Sequence, residues 1–417
     1  MRRTEIPIRR ASAIVAVLAL AVLTASVIAV GGDSNALPVA AVGFSQIENP
    51  AGRGSLAPAV SVGPKGELVL SWIESPVPKM KLRYSVWQGR AWGAVQTVVQ
   101  RSNFDPDAAA PSIVQPLSSG VLAAVWAEKK KEGDKDGNHL LAAVSSDRGK
   151  SWSTPARIHT DASISEHSFS SVVPDPNGGA TIIWLDARDY SAEKRYRLMS
   201  AVISSTGKVS GETTIDADVC TCCPTSLAQT SKGLLAVYRG HNADQIRDTM
   251  AARKLGETWG KPNRVRAEDW KIDGCPVNGP TVNARDNQAA VVWFTAKDDK
   301  PQIENAFSAD NGETFGDAHL LDSPKDGSRP VGHVTAALLP DGKQLVVWIR
   351  QVGGGAQLVA QEISKDGATS DLQIVAKGTT RALGYPHLEL SGANAVLTWG
   401  GTSEEASVHT AMLATSR

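Results

Sequence analysis

Seven runs of aliphatic residues, each ending in an aromatic ring, constrain the fold of this chain more than any other feature. In order they read "GELVLSWIE", "GVLAAVWAE", "GGATIIWLD", "KGLLAVYRG", "NQAAVVWFT", "GKQLVVWIR" and "ANAVLTWGG". The rings are Trp72, Trp126, Trp184, Tyr238, Trp293, Trp348 and Trp399, at intervals of 54, 58, 54, 55, 55 and 51 residues. A period of that length marks a repeat architecture, in which each unit buries its apolar face only against its neighbours. The chain is 5% aromatic, yet 11 of those residues are Trp. The repeat explains the skew: the series is core between units, not a row for stacking sugars.

Each run has companions. A short strand precedes it, as in "APAVSVG", "APSIVQP", "CPTSLAQ", "GPTVNAR" and "YPHLELS", and a third follows, as in "KLRYSVW", "YRLMSAVI" and "SVHTAML". A weaker fourth follows in six copies, for example "VQTVVQ" and "SDLQIV". Four short antiparallel strands per unit describe an all-β propeller, with seven blades favoured and six the alternative. The seventh copy stops after its third strand. "PVAAVGFSQI", near the N-terminus, is the expected donor of the missing strand, which would close the ring and remove two open edges.

The N-terminus reads as an export segment. "MRRTEIPIRR" is basic, and 20 uncharged, mostly apolar residues follow. Cleavage after Ala29 or Ala36 fits the small-residue rule, while the length equally suits a retained anchor with its arginines inside. Residues 1–36 are thus a signal peptide or membrane anchor, and residues 37–417 a single propeller domain. The expected location is periplasmic or extracellular, with any membrane contact confined to that segment. Lys and Arg balance Asp and Glu at 43 each, which argues against a nucleic-acid partner.

Two hairpins between third and fourth strands carry S-x-D-x-G-x-x-[aromatic]. They are Ser145, Asp147, Gly149 and Trp152, and Ser308, Asp310, Gly312 and Phe315. Gly supplies positive φ, Asp accepts N–H groups across the turn, and the ring tucks beneath. Eroded copies keep Gly89 with Trp92 and Gly256 with Trp259. The motif resembles the Asp box, or BNR repeat, of the sialidase superfamily. That resemblance implies that these residues are structural and lie on the face opposite any active site.

The other face carries the loops between strands two and three and the crossings between blades. After strand two stand Glu74, Glu128, Asp186 with Arg188, Arg239 with His241, and Arg350. Before strand one stand Asp107, Glu166 with His167, Asp218, Asp273, Arg329, His333, Arg381, and Tyr385 with His387. Titratable groups crowding one mouth are the default place for a binding or catalytic site. The resemblance implies a Tyr nucleophile paired with a Glu, an Asp acid/base, and three arginines clamping a carboxylate. Candidates are Tyr385 with Glu128 or Glu74, Asp186, and Arg239, Arg350 and Arg381, with Arg188 and His241 nearby. The stretch corresponding to that family's F-R-I-P opening reads "GRGSLAP". The expected partner is a glycan or other small anionic ligand, bound or hydrolysed. A non-enzymatic envelope scaffold is the alternative.

Three of the four cysteines crowd "DVCTCCPTSLA", and the fourth sits in "DGCPVNGPT". The repeat frame places Cys220, Cys222 and Cys223 in the crossing into blade four, and Cys275 in the crossing into blade five. In an exported chain they pair as two disulfides, with Cys222 or Cys223 reaching Cys275. The competing reading is a Cu(I) or Zn(II) site using these thiolates with His241. No other cofactor is expected. "EKKKEGDKDGNHL" places Asp134, Asp136 and Asn138 as in a calcium loop, but His139 replaces the turn Gly and no Glu follows, so a solvated loop is expected.

Overall fold

The computed structural model describes residues 37–38, 43–75, 79–118, 120–133, 135–401 and 407–414, all within one compact unit, Ser34–Arg417. The expected export segment lies outside the described residues, as does Asp134. No described helix is long and apolar enough to cross a membrane.

The described strands form seven antiparallel sheets, one for each repeated run. The first is typical, with Ser55–Val62, Leu68–Glu74, Met80–Val86 and Gln96–Arg101 paired in sequence order. The innermost strand of each sheet neighbours the innermost strand of the next. Ser61 Oγ donates to Val114 O, Thr281 Oγ1 to Val334 O, and Leu388 N to Thr335 Oγ1. Ser391 Oγ donates to Gly66 O, linking the last sheet back to the first. This is the expected propeller.

Closure follows the expected route. Phe44–Gln46 pairs antiparallel with His409–Ala414 as the outer strand of the last sheet, with Phe44 opposite Leu413. Leu37–Pro38 adds a fifth strand to the sixth sheet, against Gln373–Gly378, which the sequence did not announce.

The Trp rings are the wedges between sheets. Trp72, Trp126, Trp184, Trp293, Trp348 and Trp399 are at most 1% exposed, and Tyr238 is fully buried. At 150–250 Å² each, burial of one such ring contributes roughly 4–6 kcal/mol of gross transfer free energy.

Both Asp boxes form as read. Ser145 Oγ donates to Asp147 Oδ1 and accepts from Gly149 N at 2.7 Å, while Ser308, Asp310 and Gly312 repeat the pattern. Gly149 (φ 82°) and Gly312 (φ 74°) are obligatory: a Cβ would lie 1.6 Å from Tyr84 Oη and 2.4 Å from Leu235 Cδ2. Trp152 packs edge-on against Tyr84, and Phe315 packs into the core under its turn.

The segment expected as a solvated loop after Glu128 is instead an extended hairpin, Val121–Glu132 against Lys135–Ser145. Alternating side chains let the ladder run past the sheet, and Lys131 pairs with Asp136 at 3.6 Å on its exposed arm.

Phe44→Ala should cost about 3–5 kcal/mol, as for a buried Phe, because it removes the anchor of the closing strand. Ser45→Ala, exposed on the same strand, should cost under about 0.5 kcal/mol. Urea unfolding of both variants checks this; equal losses would mean that the strand does not close the ring.

Candidate functional site

The innermost strands and the crossings that lead into them converge on a central cavity of about 180 Å³. Five crossings enter through an X-Pro pair, and the residue before proline is steered away from helix. Ala57, Phe169 and His333 hold left-handed backbone (φ 47°, 54° and 51°) at equivalent places, where the register of the inner strand shifts. Such conformations are costly for residues with side chains and persist where the surroundings impose them.

Hydroxyls and amides of the inner strands line the cavity, but its titratable groups are His333 on the sixth sheet and Tyr385, His387 and Glu389 on the last sheet and the crossing into it. Tyr385 stacks on His333 at 3.8 Å between centroids, and its hydroxyl donates to Val277 O at 2.9 Å. Burial, then the charge of Asp107, pushes the Tyr385 hydroxyl well above the usual phenol range. His387 and Glu389 follow on the same face of His387–Ser391. His387 Nε2 has no hydrogen-bond partner, and burial lowers its imidazole to about 4. Glu389 has no ion pair or hydrogen bond among the described residues, and desolvation pushes its carboxyl up to about 7.

The acids and arginines expected at the mouth are arranged otherwise. A buried indole N–H gains from an acceptor, and carboxylates supply it for four of the six Trp wedges, whereas Trp72 and Trp399 Nε1 have none. Trp126 Nε1 donates to Glu128 at 2.9 Å, Trp184 to Asp186 at 3.0 Å, Trp293 to Glu268 at 3.1 Å and Trp348 to Asp322 at 2.7 Å. Tyr238 Oη donates to Asp216 in the same role. Guanidinium groups complete three of these pairs: Arg101 on Glu128, Arg188 on Asp186 and Arg350 on Asp322. Glu74 pairs instead with Arg83 and Lys81.

Arg239 is 1% exposed. Its guanidinium donates to the carbonyls of Asn278, Arg247 and Phe294 and lies 4.8 Å over the Trp270 ring. It therefore ties the fourth sheet to the crossing into the fifth. Arg239, Arg350 and Arg381 do not assemble as a clamp; of the three, Arg381 alone is exposed and without an ion pair among the described residues. His241 pairs with Asp218 through Nδ1 at 2.5 Å.

The cysteines divide. Cys222 is bonded to Cys275 across 53 residues, a closure worth about 4 kcal/mol in the chain-entropy account. One of the two neighbouring cysteines was expected to reach Cys275, and Cys222 does. The second expected disulfide is absent: Cys220 and Cys223 are buried and unbonded, with sulfurs 3.5 Å apart. The hydrogen bond with Cys223, then one from the Cys222 backbone and the guanidinium of Arg247 at 3.3 Å, brings the Cys220 thiol down to about 5, while burial pushes Cys223 up. The C-x-C-C set thus keeps two free sulfurs, with a guanidinium beside them.

Sequence reasoning passed over Glu389, Glu268 and Asp322. A signal for the indole acceptors was present: Trp126 and Glu128, like Trp184 and Asp186, are two apart and share a strand face.

The BNR repeat-like domain family matches residues 78–393. Among solved structures, a protein of unknown function from Dyadobacter fermentans aligns over 90% of this chain and 99% of its own, with 15% identity and TM-score 0.50. An ulvan lyase of polysaccharide lyase family PL25, bound to -[GlcA(1-4)Rha3S]-, aligns over 89% and 96%, with 9% identity and TM-score 0.50. The NanB sialidase of Streptococcus pneumoniae aligns over 88% and 70%, with 11% identity and TM-score 0.45. No curated protein matches the chain. With three quarters of its length covered by that one family, the chain belongs to the BNR repeat-like domain family.

Proposed function

We propose that this chain is an exported propeller that binds an anionic glycan at the mouth of its central cavity. The observation that carries the reading is Glu389, an unpaired carboxyl beside the unpaired Nε2 of His387 where the inner strands meet. His387 Nε2 is buried without a partner and the half-buried Glu389 carboxyl opens on the cavity, so a ligand hydroxyl would complete both. Arg381, exposed on the short helix Thr380–Leu383 that leads into Tyr385, supplies the cation for an acidic sugar. The lyase neighbour, with its bound saccharide, supports a glycan as the ligand class. The basic, apolar N-terminal segment supports export.

Hydrolysis is a second reading, and it rests on Glu389 alone. A carboxyl near pH 7 suits a general acid. Tyr385, Glu128 and Asp186 do not support it, since each side chain is already hydrogen-bonded within the protein.

Calorimetric titration with sialyllactose and with a uronic-acid oligosaccharide tests the binding reading. Binding of either sugar, weakened roughly tenfold by Arg381→Ala, is the expected result, as for loss of one charge-assisted hydrogen bond. No heat with either sugar, or an unchanged affinity in the variant, would contradict it.

A pH series tests the environment of Glu389. Its folded carboxyl sits above the unfolded value, so its contribution is full below about pH 4.5 and is lost as pH rises through about 7. Wild-type stability in urea should therefore fall over that window relative to Glu389→Gln. Parallel curves would show that the carboxyl is solvated.

A further inference from the structure

We propose that His139, His159 and His167 form a buried site for a borderline divalent transition-metal ion, of which Zn²⁺ is the type, that staples the second sheet to the third. His139 lies on Lys135–Ser145, His159 follows the short strand Ala156–Arg157, and His167 opens His167–Pro174. One ligand nitrogen from each lies within 4.8 Å of the others. None of the three belongs to the cavity that carries the proposed glycan site.

The nitrogens are unsatisfied to a degree that packing does not explain. His159 is 2% exposed, and neither ring nitrogen has a hydrogen-bond partner. His139 Nδ1 is buried and likewise unpartnered. His167 is wholly buried, with Nδ1 2.9 Å from the carbonyl of Asn138. A carbonyl only accepts, so Nδ1 carries the proton and Nε2 of the neutral ring presents a lone pair. A metal-binding histidine is commonly oriented by such an outer hydrogen bond.

That lone pair faces two further acceptors, Asp161 Oδ2 at 3.3 Å and Asp186 Oδ2 at 3.5 Å. Three acceptors pointed at one another repel unless a cation lies among them. The choice is a proton on Nε2 or a metal ion. A proton would satisfy His167 and leave both nitrogens of His159 and Nδ1 of His139 without partners. An ion takes one nitrogen from each of the three rings and leaves one nitrogen of His159 open.

The surroundings fit an imidazole-bound dication. Asp186 is neutralised by Arg188, so Asp161 remains as the nearby counter-charge, held by the hydroxyls of Ser163 and Ser165 at 2.7 Å each. Imidazole donors select zinc, copper or nickel over calcium and magnesium. The His139 and His159 centroids are 5.2 Å apart, whereas His159 and His167 stack at 3.5 Å, so ligation requires that stack to open.

The test uses the full chain without an affinity tag, dialysed against chelator, then titrated with Zn²⁺ alone and with Co²⁺ alone. The expected result is one equivalent of Zn²⁺ and a higher thermal midpoint. His159→Phe, which keeps a ring in the stack, should weaken binding by roughly 100-fold or more, since outer partners of metal ligands alone are worth 10–100-fold. Cys220→Ser with Cys223→Ser should bind as the wild type does. If His159→Phe fails to fold, the wild-type Co²⁺ spectrum decides: ligand-field bands with no thiolate charge-transfer band support the histidine site. Absence of binding, the spectrum of hydrated Co²⁺, a thiolate band, loss of binding in the cysteine variant, or unchanged affinity in a folded His159→Phe would each overturn the proposal.

Discussion

An indole N–H sealed in a dry core gains from an acceptor, and much of this molecule's charged chemistry is arranged around the four Trp wedges that have one; Trp72 and Trp399 have none. The repeat places a large ring at the same depth of successive sheets, because only such a ring fills the wedge between them. Four rings then take a carboxylate, two of them from the end of a strand, and three of those carboxylates take a guanidinium in turn. Residues that crowd one face of the propeller therefore point partly inward. Much of the crowding is packing.

The fold was largely legible because its determinants are periodic. Aliphatic runs, turn glycines and X-Pro entries recur at one interval, and the missing outer strand had one plausible donor near the N-terminus. The Asp boxes were equally plain, since their spacing encodes their hydrogen bonds. What escaped was not periodic. The hairpin beyond Glu128 is rich in charge and reads as loop, yet its register continues the ladder. The strand Leu37–Pro38 is too short to leave a pattern.

The site was less legible, for a physical reason. Sequence position tells which end of a strand a residue occupies but not where its side chain turns. Arg239 reads as a surface cation beside a loop; in the fold it is buried under backbone carbonyls and an indole ring. Glu389 reads as one polar residue in a short inner strand; in the fold it faces the cavity without a partner. Asn138 reads as matching a calcium loop and His139 as standing where the turn Gly should be, whereas the hairpin brings His139 to two histidines of the next crossing. The Cys222–Cys275 bond was nearer to hand, because neighbouring cysteines rarely pair with each other and the crossings are adjacent.

The account depends on the indole–carboxylate pairs being structural, and a double-mutant cycle measures that directly. Trp348 and Asp322 are the best pair, because both are buried and neither lines the central cavity nor belongs to the histidine cluster. Trp348→Phe, Asp322→Ala and the double variant, compared by urea unfolding, should give a coupling of about 1.5–3 kcal/mol, the range for hydrogen bonds to charged groups. Additive losses, with coupling near zero, would contradict it and return the strand-end acids to the pool of groups available for a ligand.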